Sequence, residues 1–262
     1  MILNIPDGGF YRVIDVYGNL ITGRRLAVSG TGGGGGGEGG GGSTSQRPLI
    51  TPSVLGTQYF KLDDTDNMKV AFTCSSPIDD GRNYIASVKY YFGQQDNPEQ
   101  VVNYKFGDTI TFDVSKYLNV FSTSNRNTLQ VEVTDAYGNK SLKQSFYFYL
   151  IELTLESDAT PIKKITKGDT TPYMYPCKPM GGAGLEDLFI ELKLSPLDNP
   201  MQVLHTEQRA IKNVNTNYNF NISFNAIKNA EGEELITHGV YLLTARFCGK
   251  VPLTTTVISS NT

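Results

Sequence analysis

Residues Thr128–Leu155 read TLQVEVTDAYGNKSLKQSFYFYLIELTL, and no other stretch constrains the fold as tightly. Leu129, Val131 and Val133 alternate with Gln130, Glu132 and Thr134, the two-residue period of a strand with one face buried. Asp135, Gly138 and Asn139 then cluster as turn residues, Gly and Asn because they tolerate positive φ. A second alternating run follows, which predicts Leu142, Phe146, Phe148 and Leu150 on one face. The two runs predict a long antiparallel hairpin that closes one sheet of a β domain. At Leu150–Ile151 the apolar parity slips by one residue, since Ile151, Leu153 and Leu155 follow. A one-residue slip sends side chains to the opposite face. The slip therefore marks the passage from one domain to the next.

Similar alternation recurs on both sides of this hairpin. Residues 49–151 offer Met68, Val70, Phe72 and Cys74, then Val88, Tyr90 and Phe92, then Ile110, Phe112 and Val114. Residues 152–262 repeat the plan with Leu188, Ile190, Leu192 and Leu194, then Tyr218, Phe220, Ile222, Phe224 and Ala226. A last strand carries Tyr241, Leu243, Ala245 and Phe247, which puts Cys248 beside Arg246 on the other face. Short strands at this spacing predict an all-β chain of two tandem sandwiches. Pro172–Gly184, rich in Pro and Gly, reads as an irregular loop.

Ahead of the sandwiches, residues 1–29 predict a small hairpin: a strand over Phe10–Val16, a turn at Tyr17-Gly18-Asn19 and a return over Leu20–Val28. Asp15-Val16-Tyr17-Gly18-Asn19 echoes Asp135-Ala136-Tyr137-Gly138-Asn139, which shared turn chemistry explains without a truncated repeat. Residues 30–48 form a linker, with glycine at eleven of the thirteen positions of Gly30–Gly42. Free, such a tract is a flexible tether or hinge. Its bare backbone also suits close packing, and Gly32, Gly33, Gly34, Gly35, Gly36 and Gly37 are the candidate residues for either role. It is not a phosphate loop, since no βαβ context and no Gly-Lys-Ser/Thr accompany it.

Twenty-three basic against 26 acidic residues give a net charge of −3, which supplies no electrostatic reason to expect nucleic acid as a partner. No apolar run reaches the roughly 20 residues that span a bilayer, and MILNIPDGGF lacks the regions of a signal peptide. Cys74, Cys177 and Cys248 are too few and scattered for a disulfide framework or zinc site, although Cys177 and Cys248 fall where antibody domains carry their bridge. His205 and His238 lack a nucleophile and an orienting acid, and Glu152, Glu191 and Glu207 read as solvent-facing acids. Asp63, Asp64 and Asp66 could present oxygens to Ca²⁺, but with no bidentate Glu following they read first as a solvated turn. Tyr147 and Tyr149 lie opposite the core parity and are candidate interface residues, for sugar stacking or protein contact; cross-strand packing is the plainer reading.

Val131-Glu132-Val133-Thr134-Asp135-Ala136-Tyr137-Gly138-Asn139, preceded by DVSKYL at Asp113–Leu118, resembles the last hairpin of immunoglobulin-like repeats in bacteriophage tail and fibre proteins. There such domains often follow a short N-terminal segment ending in a glycine run, as here. The resemblance implies two immunoglobulin-like β-sandwiches in tandem and a structural, non-enzymatic virion component without cofactor or metal: a tail or head fibre, or a fibre adaptor. Its implied partners are other virion proteins, copies of itself (a trimer among the options) and a host surface glycan or receptor, with neither nucleic acid nor membrane. Such a chain is made in the host bacterial cytoplasm and resides in the virion. Residues 1–29 would then anchor it, through Phe10, Tyr11, Val13, Val16, Tyr17, Leu20 and Leu26. The alternative is a glycan-binding adhesin module of a cell surface, against which the missing export signal counts.

Overall fold

A computed structural model of the chain describes residues 10–14, 20–24, 46–78, 80–92, 99–157, 159, 162–165, 171–224, 227–236 and 239–260. The strands of the first half are β1 (Phe10–Ile14), β2 (Leu20–Arg24), β3 (Leu49–Pro52), β4 (Thr57–Lys61), β5 (Lys69–Ser75), β6 (Ile85–Tyr91), β7 (Glu99–Tyr104), β8 (Ile110–Asp113), β9 (Asn127–Asp135) and β10 (Gln144–Ile151). Those of the second half are β11 (Leu153–Glu156), β12 (Ile162–Ile165), β13 (Tyr173–Gly181), β14 (Glu186–Pro196), β15 (His205–Ala210), β16 (Tyr218–Ile222), β17 (Gly239–Lys250) and β18 (Val257–Ser259). Helical geometry among the described strands' connections is confined to short 3-10 turns such as Thr65–Asn67 and Val114–Tyr117.

β1 and β2 form a two-stranded sheet of their own, in the register Phe10↔Arg24 to Ile14↔Leu20. The larger sheets run β4-β10-β9-β6-β7 and β3-β5-β8, then β11-β13-β16 and β12-β17-β14-β15, with β18 also on β17. In each half, one sheet sets the first, third and sixth sandwich strands side by side (β3-β5-β8 and β11-β13-β16) and the other groups the remainder. This is the immunoglobulin-like arrangement.

The chain divides into two compact units, residues 1–57, 70–112 and 129–146 in one and residues 58–69, 113–128 and 147–262 in the other. In the first, β9 pairs antiparallel with β6 (Val88↔Val133, Tyr90↔Val131) and β6 with β7 (Val88↔Gln100). Their inward positions, Leu129, Val131, Val133, Val88 and Tyr90, are buried, as the two-residue period requires. Phe112 of β8 packs against Tyr90 and Phe92 at ring separations of 4.7 and 5.3 Å, and Phe72 of β5 against Phe146 at 5.7 Å. Each such burial contributes roughly 1.5–3 kcal/mol.

In the second unit Phe148 is wedged between Phe60 and Phe121, and the Leu62 amide donates to the Ile151 carbonyl. Leu150 and Ile151 are both buried, which is the predicted parity slip seen in the fold. A separate core gathers Ile190, Leu192 and Leu194 of β14, Tyr241, Leu243 and Phe247 of β17, Tyr175 and Cys177 of β13, and Ile222 of β16. Along one edge of β17, β12 pairs with Gly239–Leu242 and β18 with Cys248–Lys250.

Two expectations need correction. Pro172–Gly184 is no irregular loop: most of it is the nine-residue strand β13. Its first half pairs with β16 (Tyr173↔Ile222 to Cys177↔Tyr218) and its second with β11 (Lys178↔Glu156 to Gly181↔Leu153). The Pro176 carbonyl accepts from the Ser157 hydroxyl and the Pro179 carbonyl from the Asn215 amide. Since N and C=O of one strand residue point to the same side, each ring nitrogen faces away from its own ladder partner, and no ladder bond is lost. Leu142 is 71% exposed, because β10 starts only at Gln144 and Leu142 precedes the ladder. Cys248 keeps the face opposite the core, with Arg246 and Glu191 near it, and is nonetheless buried, in the stretch where β18 covers the edge of β17.

Candidate interaction surfaces

The D-A-Y-G-N turn is built on one carboxylate. Asp135, buried at the end of β9, accepts from the amides of Tyr137 and Asn139 on Oδ1. Its Oδ2 accepts from the side-chain amides of Asn139 and Asn83, at 3.0 and 3.2 Å. Gly138 follows with φ +82°, the left-handed conformation that glycine tolerates best. The Tyr137 hydroxyl then donates to Asp80 Oδ2. That bond, helped by the Arg82 and Asn83 amides, holds the Asp80 carboxyl below its ordinary range, and it pushes the Tyr137 phenol above its own.

This turn stands at one end of the β7-β6-β9 sheet, where Ile85 faces both Tyr104 and Asp135 across the strands. Tyr84 accepts the Ala136 amide on its carbonyl. Tyr84, Tyr104 and Tyr137 are 38, 37 and 51% exposed, so one sandwich end presents three tyrosines beside Asp80 and Arg82. Sequence reading misses this group, since its members come from three separate segments and carry no shared local signal.

Elsewhere in the same unit, Tyr91 lies beneath the Lys143 ammonium at 3.6 Å from the ring centroid, with Lys89 at 5.7 Å. Its hydroxyl donates to Glu132, which Lys140 also approaches at 3.9 Å. An open groove of about 550 Å³ runs beside them, lined by Arg47, Glu132, Lys140, Leu142 and Lys143 among others.

Tyr147 and Tyr149 project from β10 on the side away from Phe146, Phe148 and Leu150, and both are partly covered. The Arg126 guanidinium sits 4.6 Å from the Tyr147 ring centroid. Tyr149 stacks on Tyr59 at 5.6 Å and 20°, and burial, with Tyr149 and Glu186 nearby, raises the Tyr59 phenol.

The remaining candidates are scattered. Phe10, Tyr11 and Val13 lie on β1 and Leu20 on β2, while Val16, Tyr17, Leu26, Gly32–Gly37 and His238 fall outside the described residues. His205 opens β15. Asp63 takes Lys61 at 2.9 Å, and Asp64 accepts twice from the Asn67 amide. Glu191 pairs with Lys193 and Glu207 with Arg209. Cys74, Cys177 and Cys248 are free and buried. Among the described residues, no three His, Cys, Asp or Glu side chains are placed to hold a metal ion, and no helix is long and apolar enough to cross a membrane.

No protein-family model matches the sequence, and no curated protein matches it. Solved structures do. The fibronectin(III)-like modules of CbhA from Clostridium thermocellum align at 8% identity over 80% of this chain and 91% of that one, with a TM-score of 0.32. The FN1–FN3 domains of chicken CNTN1 align at 12% identity over 82% and 65%, also at 0.32. Carbohydrate-binding modules of the β-sandwich superfamily align at 10% identity over 84% and 100%, at 0.26. Such identities concern fold alone. By its own strand order, this chain is an all-β protein of immunoglobulin-like sandwiches.

Proposed function

We propose that the chain is a structural component of a bacteriophage virion, a tail or head fibre or a fibre adaptor, which anchors by residues 1–29 and spaces or presents its sandwiches. The observation that carries this reading is the β1–β2 sheet, which among the described residues has two strands and precedes a glycine tract and two sandwiches. Two strands alone are marginal in water, so the hairpin gains stability by docking on another subunit. The resemblance of Val131–Asn139 to phage fibre repeats supplies the setting. Its partners are other virion proteins and further copies of the chain, and it performs no catalysis. Deleting residues 1–29 is expected to leave both sandwiches folded and to abolish incorporation into particles; normal incorporation would refute the anchor.

A second reading, a glycan-binding module, is favoured by Tyr84, Tyr104 and Tyr137 at one sandwich end. Aromatic rings there could stack on sugars while Asp80 and Arg82 bond hydroxyls. Binding on a glycan array that Tyr84→Ala or Tyr104→Ala removes, without loss of the folded state, would support it. No binding by the wild-type chain would reject it.

A further inference from the structure

Asp15–Asn19 and Asp135–Asn139 share four of five residues, and the backbone that flanks them is paired alike. Ile14 faces Leu20 in β1–β2, and Thr134 faces Lys140 beyond β9, each across the same five-residue interval. Shared turn chemistry explains the five residues. It does not explain why the alternation continues: the same offset sets Val13, Arg12 and Tyr11 at the register positions of Val133, Glu132 and Val131. In register, β1–β2 can therefore be laid on β9 and the chain that follows it, whether or not the two share an origin.

β9 has an outer neighbour, β6, in the register Val88↔Val133, Lys89↔Glu132 and Tyr90↔Val131. Among the described residues β1 has none. We infer that the open edge of β1 receives an extended strand of another polypeptide, laid antiparallel, apolar opposite Tyr11 and Val13 and acidic opposite Arg12. The sign comes from the register. Where Lys89 faces Glu132 inside the sandwich, β1 carries Arg12 instead of an acid, so a β6-like strand would set lysine against arginine. Like charges directly opposite destabilise a strand pair and unlike charges support it. The inversion therefore selects against the β6 strand of a second copy and for a different, acidic partner. The inference rests on the anchoring reading of residues 1–29 and states its chemistry.

The test uses the full chain and two synthetic peptides spanning Asn83–Phe92, one native and one with Lys89→Glu, with a scrambled peptide as background. Hydrogen exchange of the Phe10–Ile14 amides and the dissociation constant are the readouts. The Lys89→Glu peptide is expected to protect β1 and to bind about threefold to tenfold more tightly than the native one. Arg12→Glu in the chain should reverse that order. No protection by either peptide, or an unchanged order in the Arg12→Glu chain, overturns the inference. If deleting residues 1–29 blocks incorporation while neither peptide protects β1, the anchor stands and strand completion falls.

Discussion

The ring of Tyr149 occupies the space in which Gly184 would carry a side chain: a Cβ at Gly184 would lie 2.6 Å from Tyr149 Cδ2. Gly184 also holds φ +80°, where an L-residue is strained. Two separable penalties therefore fall on one position. Gly184→Ala is expected to cost about 2–4 kcal/mol by urea unfolding. In a Tyr149→Ala background the contact penalty should vanish and about 1 kcal/mol of backbone strain remain. Simple additivity of the two substitutions would show that ring and glycine are not coupled.

Asp135 satisfies two backbone amides and two side-chain amides from a buried position. Asp135→Ala leaves those donors without their acceptor and is expected to cost about 2–4 kcal/mol in chemical denaturation. Asn139→Ala removes one of the side-chain bonds, and about 1 kcal/mol is expected. Equal losses for the two variants would mean that the carboxylate does not organise the turn.

Asp113 titrates below the ordinary carboxylate range, chiefly because the Ser115 hydroxyl donates to it, with its amide, Lys116 and Lys69 adding to the effect against a burial penalty. A carboxyl lowered in the folded state stabilises the fold above its unfolded pKa of about 3.9, and the contribution disappears as pH falls through the lowered value. Ser115→Ala should therefore be less stable than wild type at pH 7, with the gap closing as the solution is acidified. Urea midpoints between pH 7 and pH 2 check this. A gap that widens toward acid would reverse the sign.

Burial pushes the Cys74 thiol up to about 12 and Cys177 to about 11, and raises Cys248 as well. Thiolate is the reactive form. The folded chain at pH 8 should therefore leave a chromogenic disulfide reagent unconsumed, and all three thiols should react once it is unfolded in guanidinium. Fast reaction of any one in the folded chain would contradict its burial.

Where structure follows from side-chain period, it was legible. Leu129, Val131 and Val133 are buried as alternation demands, and the slip at Leu150–Ile151 survives as two adjacent buried residues. Extending the period backward through a turn failed at Leu142, because alternation has meaning only inside a ladder. β13 was hidden for a different reason. Local composition counts prolines, whereas the fold depends on which side each ring nitrogen faces, and that is decided by Ser157 and Asn215, far away in sequence. The candidate surfaces were harder still: Arg126 over Tyr147, and the Tyr84, Tyr104 and Tyr137 group, are made by tertiary neighbours alone.

The two prolines of β13 bear on solubility. Among the described residues, each half of the strand is registered with a neighbour on one side, which leaves a short run of backbone on the other side beyond that neighbour's end. Pro176 and Pro179 turn their ring nitrogens to those runs, which removes a donor that a stray chain would need to extend the sheet. Pro176→Val would restore an amide there, and at high concentration the variant should self-associate before it unfolds. Strand-mediated self-association is thus discouraged along these runs of β13.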